Sequence, residues 1–230
     1  MKNDKNTQKK KIEAVLFDMD GLIFDTESVW KDAFFEANKK FGLNLDEEYR
    51  QKEMAGRQEI DIRKMMKLEF PDVDIDAYRD YMRGLVFEEI KSSKKLLKTG
   101  FVEIVDALKM NNIKIALATS SGLDRCDILF GNAGIDYKKI FDAIVTKEEV
   151  DSGKPNPEVF LKAAKKLGVE TEACVVLEDS ILGIQAAHNA GAVPVMVVDL
   201  IEPVDELRKL AEHVVYSLLE AKNFILRIRN

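Results

Sequence analysis

Hydrophobic and polar positions follow two different patterns along the chain. Short apolar runs bounded by polar residues are typical of buried strands, and they occur at 12–17, 113–118, 143–146, 174–177 and 193–198, with a possible short edge strand at 214–215. From residue 101 onward, stretches with helical spacing of apolar residues separate these runs. Strands that alternate with helices predict an α/β fold with a Rossmann-like, doubly wound parallel sheet.

The segment between the first two predicted strands has the helical pattern alone. Helices are expected at 27–41, 47–54, 60–70 and 75–97, with Thr26 as the N-cap of the first, and no strand is expected between residues 26 and 100. The sequence therefore predicts a helical insertion at 26–97, and a core built from 12–25 and 98–230.

Composition narrows the class of protein. The 230 residues are 46% hydrophobic and 33% charged, which is typical of a soluble globular protein of one or two domains. No apolar run is long enough to span a membrane, and residues 1–11 are lysine-rich without the apolar segment of a signal peptide. We therefore expect a cytoplasmic protein with a disordered lead-in at 1–11. The net charge of -6 argues against nucleic acid as the main partner, and the oligomeric state stays open.

Histidines and cysteines limit the possible chemistry. The only histidines are His188 in a predicted helix and His213 at a predicted strand, so a Ser-His-Asp mechanism is not expected and acid–base chemistry falls to carboxylates. Cys126 and Cys174 lie in different predicted elements, and we expect buried thiols rather than a disulfide or a zinc site.

Polar residues follow three of the predicted strands at the points where they end. Asp18 and Asp20 follow the first strand, Thr119 the second, and Asp179 the run at 174–177. An Asp-Gly pair alone could simply form a turn. The carboxyl ends of parallel strands, however, meet in one crevice, so these side chains are expected to form a site.

Four short motifs in order carry a family resemblance. The strings DMDG at 18–21, ATSS at 118–121, KPNP at 154–157 and EDS at 178–180 resemble the four motifs of the haloacid dehalogenase superfamily, and DxDG resembles its phosphatase and phosphomutase branch. The resemblance implies that Asp18 is the nucleophile that forms an aspartyl-phosphate and that Asp20 is the general acid–base.

The resemblance also implies a phosphate site and a metal site. Thr119 and Ser120 would hydrogen-bond the phosphoryl group, and Lys154 would hold both the nucleophile and the phosphate charge. Mg²⁺, which prefers hard oxygen ligands, would be bound by Asp18, the Asp20 backbone carbonyl and Asp179, with Glu178 as a direct or an outer contributor. A competing interpretation makes Glu178–Asp179 a helix cap, and Ser121 is also expected to cap a helix.

The helical insertion resembles the α-helical cap of the beta-phosphoglucomutase-like group, with Gly56 at the cap glycine. Those mutases carry an arginine after this glycine and a histidine in the first cap helix, where this chain has Glu59 and Trp30. Arg57 could replace that arginine only with a shifted loop. These departures favour a magnesium-dependent phosphatase of a small phosphorylated metabolite, such as a sugar phosphate.

Three alternatives are weighed against the phosphatase. A beta-phosphoglucomutase would share the core and most of the chain. A ligand-binding or regulatory protein with the same fold is a non-enzymatic alternative, although none of the four motifs is broken. A dehalogenase is disfavoured, because Asp20 is a group that dehalogenation by water does not need.

Overall fold

One parallel sheet forms the centre of the molecule. The structure, a computed structural model, describes residues 11–54, 57, 59–200 and 205–229. Its six strands lie in the order β3-β2-β1-β4-β5-β6, all paired in parallel. They are β1 (Ala14–Phe17), β2 (Lys114–Ala118), β3 (Ala143–Val145), β4 (Cys174–Glu178), β5 (Val193–Val197) and β6 (His213–Val215). The predicted α/β fold is confirmed.

The register of the central strands brings their carboxyl ends to one level. Phe17 of β1 pairs with Leu117 of β2 on one side and with Leu177 of β4 on the other. Every residue of β1 is buried, because helices cover both faces of the sheet. The residues that follow β1, β2 and β4 are therefore neighbours at the same edge.

The first four helices after β1 lie where the insertion was predicted. They are α1 (Thr26–Phe41), α2 (Glu47–Tyr49), which continues into a π-helical turn (Arg50–Met54), α3 (Glu59–Glu69) and α4 (Ile75–Ser92). In α1, Val29, Ala33, Phe34 and Ala37 are buried on one face, as the helical spacing predicts. The assignment of 26–97 as a separate domain stays a prediction.

The remaining helices cover the sheet. They are α5 (Phe101–Met110), α6 (Leu123–Asn132), α7 (Tyr137–Ile140), α8 (Glu158–Leu167), α9 (Ile181–Asn189), α10 (Asp205–Leu210) and α11 (Leu218–Ile228). Short 3₁₀ turns lie at Lys147–Glu149 and Thr171–Ala173. Along β1, Val15 and Phe17 belong to one apolar cluster, and Ala14 and Leu16 to a second. The alternation of the strand thus places one cluster on each face of the sheet.

Two predictions at the ends of helices are wrong. Asp25, and not Thr26, caps α1, since its Oδ1 accepts from the Ser28 N–H at 3.3 Å. Thr26 Oγ1 instead accepts from the Gly21 N–H at 3.1 Å, which ties the helix to the turn after β1. At the other end, α4 stops at Ser92 rather than at residue 97.

Backbone pairing between residues 23–25 and 96–98 explains why α4 ends early. Phe24 and Leu97 form an antiparallel bridge. The Asp25 N–H donates to the Leu96 carbonyl at 2.7 Å, and the Lys98 N–H donates to the Ile23 carbonyl at 2.8 Å. The chain therefore leaves the sheet and returns to it side by side, and these extended backbone contacts replace the last helical turn that was predicted.

Two short helices could not be predicted from periodicity, and some predictions are not tested by the described residues. The helices α7 and α10 were not predicted, because one or two turns carry too few apolar positions to show a period. The disordered lead-in lies almost wholly outside the described residues. Among the described helices, none has the length and apolarity needed to cross a bilayer. A cytoplasmic location stays a prediction.

Candidate active site

A buried lysine joins two carboxylates at the edge of the sheet. Lys154 Nζ lies 2.5 Å from Asp18 Oδ1 and 2.5 Å from Glu178 Oε1. The side chains of Lys154 and Glu178 are 7% and 1% exposed, so the three charges have little access to water. Buried charges are stable only when they are paired and hydrogen-bonded. The motif at 154–157 thus supplies the counterion for the acids that end β1 and β4.

Burial changes the protonation of this group. Burial raises the pKa of the Asp18 carboxyl to about 7, while Lys154 opposes the rise and Glu178 adds to it. Burial alone would lower the pKa of Lys154, but the two carboxylates hold it above its usual value. Lys154 therefore remains a cation, and Asp18 gains or loses its proton near neutrality in response to nearby charge.

Three acids are arranged as a possible metal site. Asp18, Glu178 and Asp179 each offer a carboxylate oxygen, and these oxygens lie within 4.8 Å of one another. Burial, followed by the charges of Glu178 and Asp18, holds the pKa of Asp179 well above its usual value. One lysine cannot neutralise three carboxylates. The donor set of hard oxygens and the surplus of negative charge both fit Mg²⁺.

Two glycines make room for these acids. Gly21 has φ 76°, and a Cβ there would lie 2.0 Å from Asp179 Oδ2. Gly183 is in the first turn of α9, where a Cβ would lie 1.8 Å from the Glu178 carboxyl carbon. Any side chain at either position would displace an acid, so both glycines are needed for the close approach.

The residues after β2 differ from expectation in one respect. Thr119, for which phosphate binding stays a prediction, is buried, and its Oγ1 accepts from the Ser121 N–H at 3.0 Å. Ser120 is exposed and lines a cavity described below. Ser121 does not cap α6, because its hydroxyl donates to Asp20 Oδ2 at 2.7 Å. The N-cap position belongs to Gly122, which has no side chain to cap with.

The helix-cap interpretation of Glu178 and Asp179 is also wrong. Ser180 caps α9, and its Oγ accepts from the Gly183 N–H at 3.0 Å. Glu178 Oε2 instead accepts from the N–H and the hydroxyl of Ser180 at 3.0 and 2.9 Å. The two acids are thereby left to face Lys154 and the crevice.

Asp20 has a partner that sequence reasoning missed. Arg125 donates to Asp20 Oδ1 from Nε at 2.9 Å and from Nη2 at 2.7 Å. Arg125 lies in the first turn of α6, where a basic residue opposes the helix dipole. That unfavourable position was the available signal in the sequence. Only the fold shows which acid the arginine meets.

Two cavities adjoin these residues. One of about 640 Å³ lies between α4 and the loop after β2, and Ser120, Ser121, Arg125, Arg83 and Lys147 are among its lining residues. The other, of about 320 Å³, lies among the inserted helices. Trp30 and Glu59 line both cavities. Gly56 lies outside the described residues.

The charge of Glu59 is compensated, which the sequence did not show. Glu59 accepts from Arg79 Nε at 3.1 Å and Nη2 at 2.5 Å, and from Arg63 Nε at 2.9 Å. Burial would raise the pKa of Glu59, but the hydrogen bonds and charges of the two arginines outweigh it and lower the pKa. Glu59 is thus an ionised acid bound by two arginines, of which Arg63 also binds Asp76 and Asp80. It would therefore repel a second phosphate less than an unpaired carboxylate would.

Two further acids close to the crevice were not predicted. Burial raises the pKa of Glu27, Arg50 opposes this, and the charges of Asp199 and Asp20 add to it. Burial also raises the pKa of Asp199, whose carboxylate accepts from Lys98. Asp199 follows β5, so the strand-end argument used for Asp18 applies to it as well.

The histidines and cysteines lie as expected. His188 is exposed on α9, and the ring of His213 stacks on Phe224 with 4.2 Å between centroids. Cys126 and Cys174 are buried free thiols. These four residues are outside the group that surrounds Lys154.

Comparison with known proteins agrees with the fold and with the family resemblance. The family model described as haloacid dehalogenase-like hydrolase matches residues 15–198. A phosphorylated carbohydrates phosphatase of Thermotoga maritima is 32% identical over 183 residues, which are 78% of this chain and 82% of that protein.

Two more relatives extend this comparison. Hexitol phosphatase B of Escherichia coli K12 is 29% identical over 188 residues, 79% of this chain and 81% of that protein. A crystal structure of beta-phosphoglucomutase from Clostridium difficile superposes with a TM-score of 0.70 at 26% identity, covering 95% of this chain and 97% of that one. The resemblance predicted from the four motifs is confirmed.

The contact between Gly183 and Glu178 gives a first prediction. Gly183→Ala should destabilise the fold by about 1–3 kcal/mol, because the new methyl group overpacks against a buried ion pair. Gly84→Ala is the matched control, since Gly84 is in α4 and a Cβ there meets nothing within 4 Å. The control should be neutral or more stable by up to about 1 kcal/mol. Urea unfolding measures both, and equal stability of the two variants would contradict the packing described.

Proposed function

This chain belongs to the haloacid dehalogenase-like hydrolases, and we propose that it is a magnesium-dependent phosphatase of small phosphorylated metabolites that acts through an aspartyl-phosphate. The observation that carries this is the buried contact of Lys154 with Asp18 and Glu178. A carboxylate held beside a fixed cation at the mouth of a crevice suits attack on a dianionic phosphate. The names of the relatives, which include phosphatases of phosphorylated carbohydrates and hexitols, support a sugar phosphate as substrate.

In the first half-reaction the phosphoryl group moves to Asp18. A carboxylate oxygen of Asp18 forms a bond to phosphorus as the bond to the ester oxygen breaks, and the electron pair stays on the leaving oxygen. Asp20 gives that oxygen a proton. Lys154 balances the negative charge on the phosphoryl oxygens, and Thr119 and Ser120 donate hydrogen bonds to them.

In the second half-reaction water releases phosphate. Asp20, now a carboxylate, takes a proton from water while the water oxygen bonds to phosphorus. The bond between phosphorus and Asp18 breaks, which returns the carboxylate to its contact with Lys154. Helices α1 and α4, whose residues line the cavity of about 640 Å³, would cover the leaving group during both steps.

The metal ligands proposed are Asp18, the Asp20 backbone carbonyl and Asp179, with Glu178 in contact or just outside. Bound Mg²⁺ would supply positive charge that holds the phosphate next to the acids and keeps Asp18 ionised. The oxygens of Asp18, Glu178 and Asp179 within 4.8 Å of one another support this assignment.

A beta-phosphoglucomutase remains the second candidate, because Arg57 lines the cavity that Trp30 and Glu59 also line. Its Nη2 is bound to Glu53 Oε2 at 2.9 Å, so gripping a second phosphate would require this pair to separate. Arg79 is buried and donates to Glu59 from Nε and Nη2. The engagement of both Arg57 and Arg79 by acids favours the phosphatase.

Metal dependence is the first test of this function. We expect hydrolysis of p-nitrophenyl phosphate to require Mg²⁺ and to fall to background in excess chelator, because the clustered acids otherwise repel the phosphate. Phosphate release with and without added Mg²⁺ measures this. Recovery of activity when Mg²⁺ is added back would show that the chelator removed the metal and did not denature the protein. Undiminished turnover in excess chelator would contradict the metal assignment.

Covalent catalysis is tested at Asp18. Asp18→Asn should abolish turnover, since an amide neither attacks phosphorus nor balances Lys154 as an anion does. Asp20→Asn should slow turnover about 10²–10⁴-fold, the usual range for general acid–base catalysis. Circular dichroism and thermal melting check that both variants fold. Near wild-type turnover in Asp18→Asn would show that Asp18 is not the nucleophile.

Phosphatase and mutase are separated by product. With beta-glucose 1-phosphate and a priming bisphosphate, we expect free phosphate and little glucose 6-phosphate, because Arg79 is bound to Glu59 and Trp30 stands where mutases have histidine. A coupled glucose 6-phosphate dehydrogenase assay and a phosphate assay measure the two products. Efficient formation of glucose 6-phosphate would establish the mutase, and Arg57→Met would then be expected to abolish it.

A further inference from the structure

The proposed general acid–base is held by both of its carboxylate oxygens. Arg125 donates two hydrogen bonds to Oδ1 of Asp20, from Nε at 2.9 Å and from Nη2 at 2.7 Å. Ser121 Oγ donates to Oδ2 at 2.7 Å. The two Arg125 donors meet at one oxygen and Ser121 holds the other, so the Asp20 carboxylate is restrained at both of its oxygens. The two contacts together restrict the rotations of the Asp20 side chain.

The position of Arg125 indicates that this contact is its role. Arg125 lies in the first turn of α6, where a cation opposes the helix dipole. Asp20 is its only ion-pair partner among the described residues. The two side chains are 24% and 25% exposed, so the pair is partly open to solvent. Because the helix dipole disfavours an arginine at this position, its contact with Asp20 is the feature that accounts for it.

We propose that Arg125 is a positioning residue that aims Asp20 at the leaving group. Arg125 holds Oδ1 with two charged donors, whereas Oδ2 meets only the rotatable Ser121 hydroxyl, which leaves Oδ2 as the oxygen that carries the proton. During transfer to Asp18, the proton moves from Oδ2 to the leaving oxygen as that oxygen takes the electron pair of the broken bond. During release of phosphate, Oδ2 takes a proton from water. This inference rests on the proposed function.

Leaving groups of different basicity provide the test. p-Nitrophenolate leaves without a proton, whereas the alkoxide of glycerol 2-phosphate requires one. Arg125→Met should therefore lower kcat/KM for glycerol 2-phosphate at least about tenfold more than for p-nitrophenyl phosphate, a part of the usual 10²–10⁴-fold effect. Arg125→Lys, which keeps the charge but not the paired donors, should fall between the wild type and Arg125→Met. Arg227→Met, on α11, is the arginine control and should not change the ratio.

A double variant distinguishes positioning from a general loss of structure. In the Asp20→Asn background, Arg125→Met should not change the ratio further, because no acid is left to aim. Equal losses for both substrates, an additive effect in the double variant, or a gain with glycerol 2-phosphate would overturn the inference. If Arg125→Met does not fold, the Arg125→Lys ratio decides, and a wild-type ratio there also overturns it.

Failure of the proposed function gives a different pattern. If Asp20→Asn alone leaves the ratio unchanged, or if neither phosphoester is hydrolysed, the acid–base role of Asp20 is wrong and the inference falls with it. If Asp20→Asn changes the ratio and Arg125→Met does not, the proposed function stands and only the role of Arg125 is refuted.

Discussion

The contact of one lysine with two buried carboxylates is the constraint on which the site depends. Lys154 meets Asp18 across 136 residues of sequence and Glu178 across 24. Leaving a buried charge without its partner typically costs about 3–5 kcal/mol, so the loop that carries Lys154 cannot move away from the sheet while the acids stay ionised. The same contact fixes where attack on phosphorus can start. Fold stability and nucleophile placement thus depend on the same three side chains.

Much of the fold could be predicted, because strand positions and their ends are local features. Within the run at 12–17, only Glu13 is polar, and the four residues that form β1 are all apolar, as a strand covered on both faces requires. The early end of α4 could not be predicted, since residues 93–97 have no helix breaker. What stops the helix is backbone pairing of Leu97 with Phe24, which is distant in sequence. Periodicity carries no information about such a partner.

The candidate site was predictable where chemistry coincides with strand ends, and less so where it depends on tertiary pairs. Asp18 and Asp179 were found from position alone, and the structure places both in the acid cluster. Ser121 looks like a helix cap in sequence, yet its hydroxyl is used by Asp20. Glu59 looks like a lone negative charge, yet two arginines compensate it. Partners of a charged side chain are set by the packing of several elements, which a single sequence does not encode locally.

The pairing of Phe24 with Leu97 bears on how the chain tolerates change. Hydrogen bonds hold the two ends of the segment between these residues together, so the segment is a closed loop whose ends are fixed relative to the sheet. Loop-closure entropy grows only slowly with length, so segments of very different size could be exchanged there at little cost to the strand order. Elsewhere the segment packs on the core, for example where Asn132 of α6 donates to the Ile90 carbonyl. The helices that cover the crevice could therefore change in length and sequence without changing the register of β1 and β2.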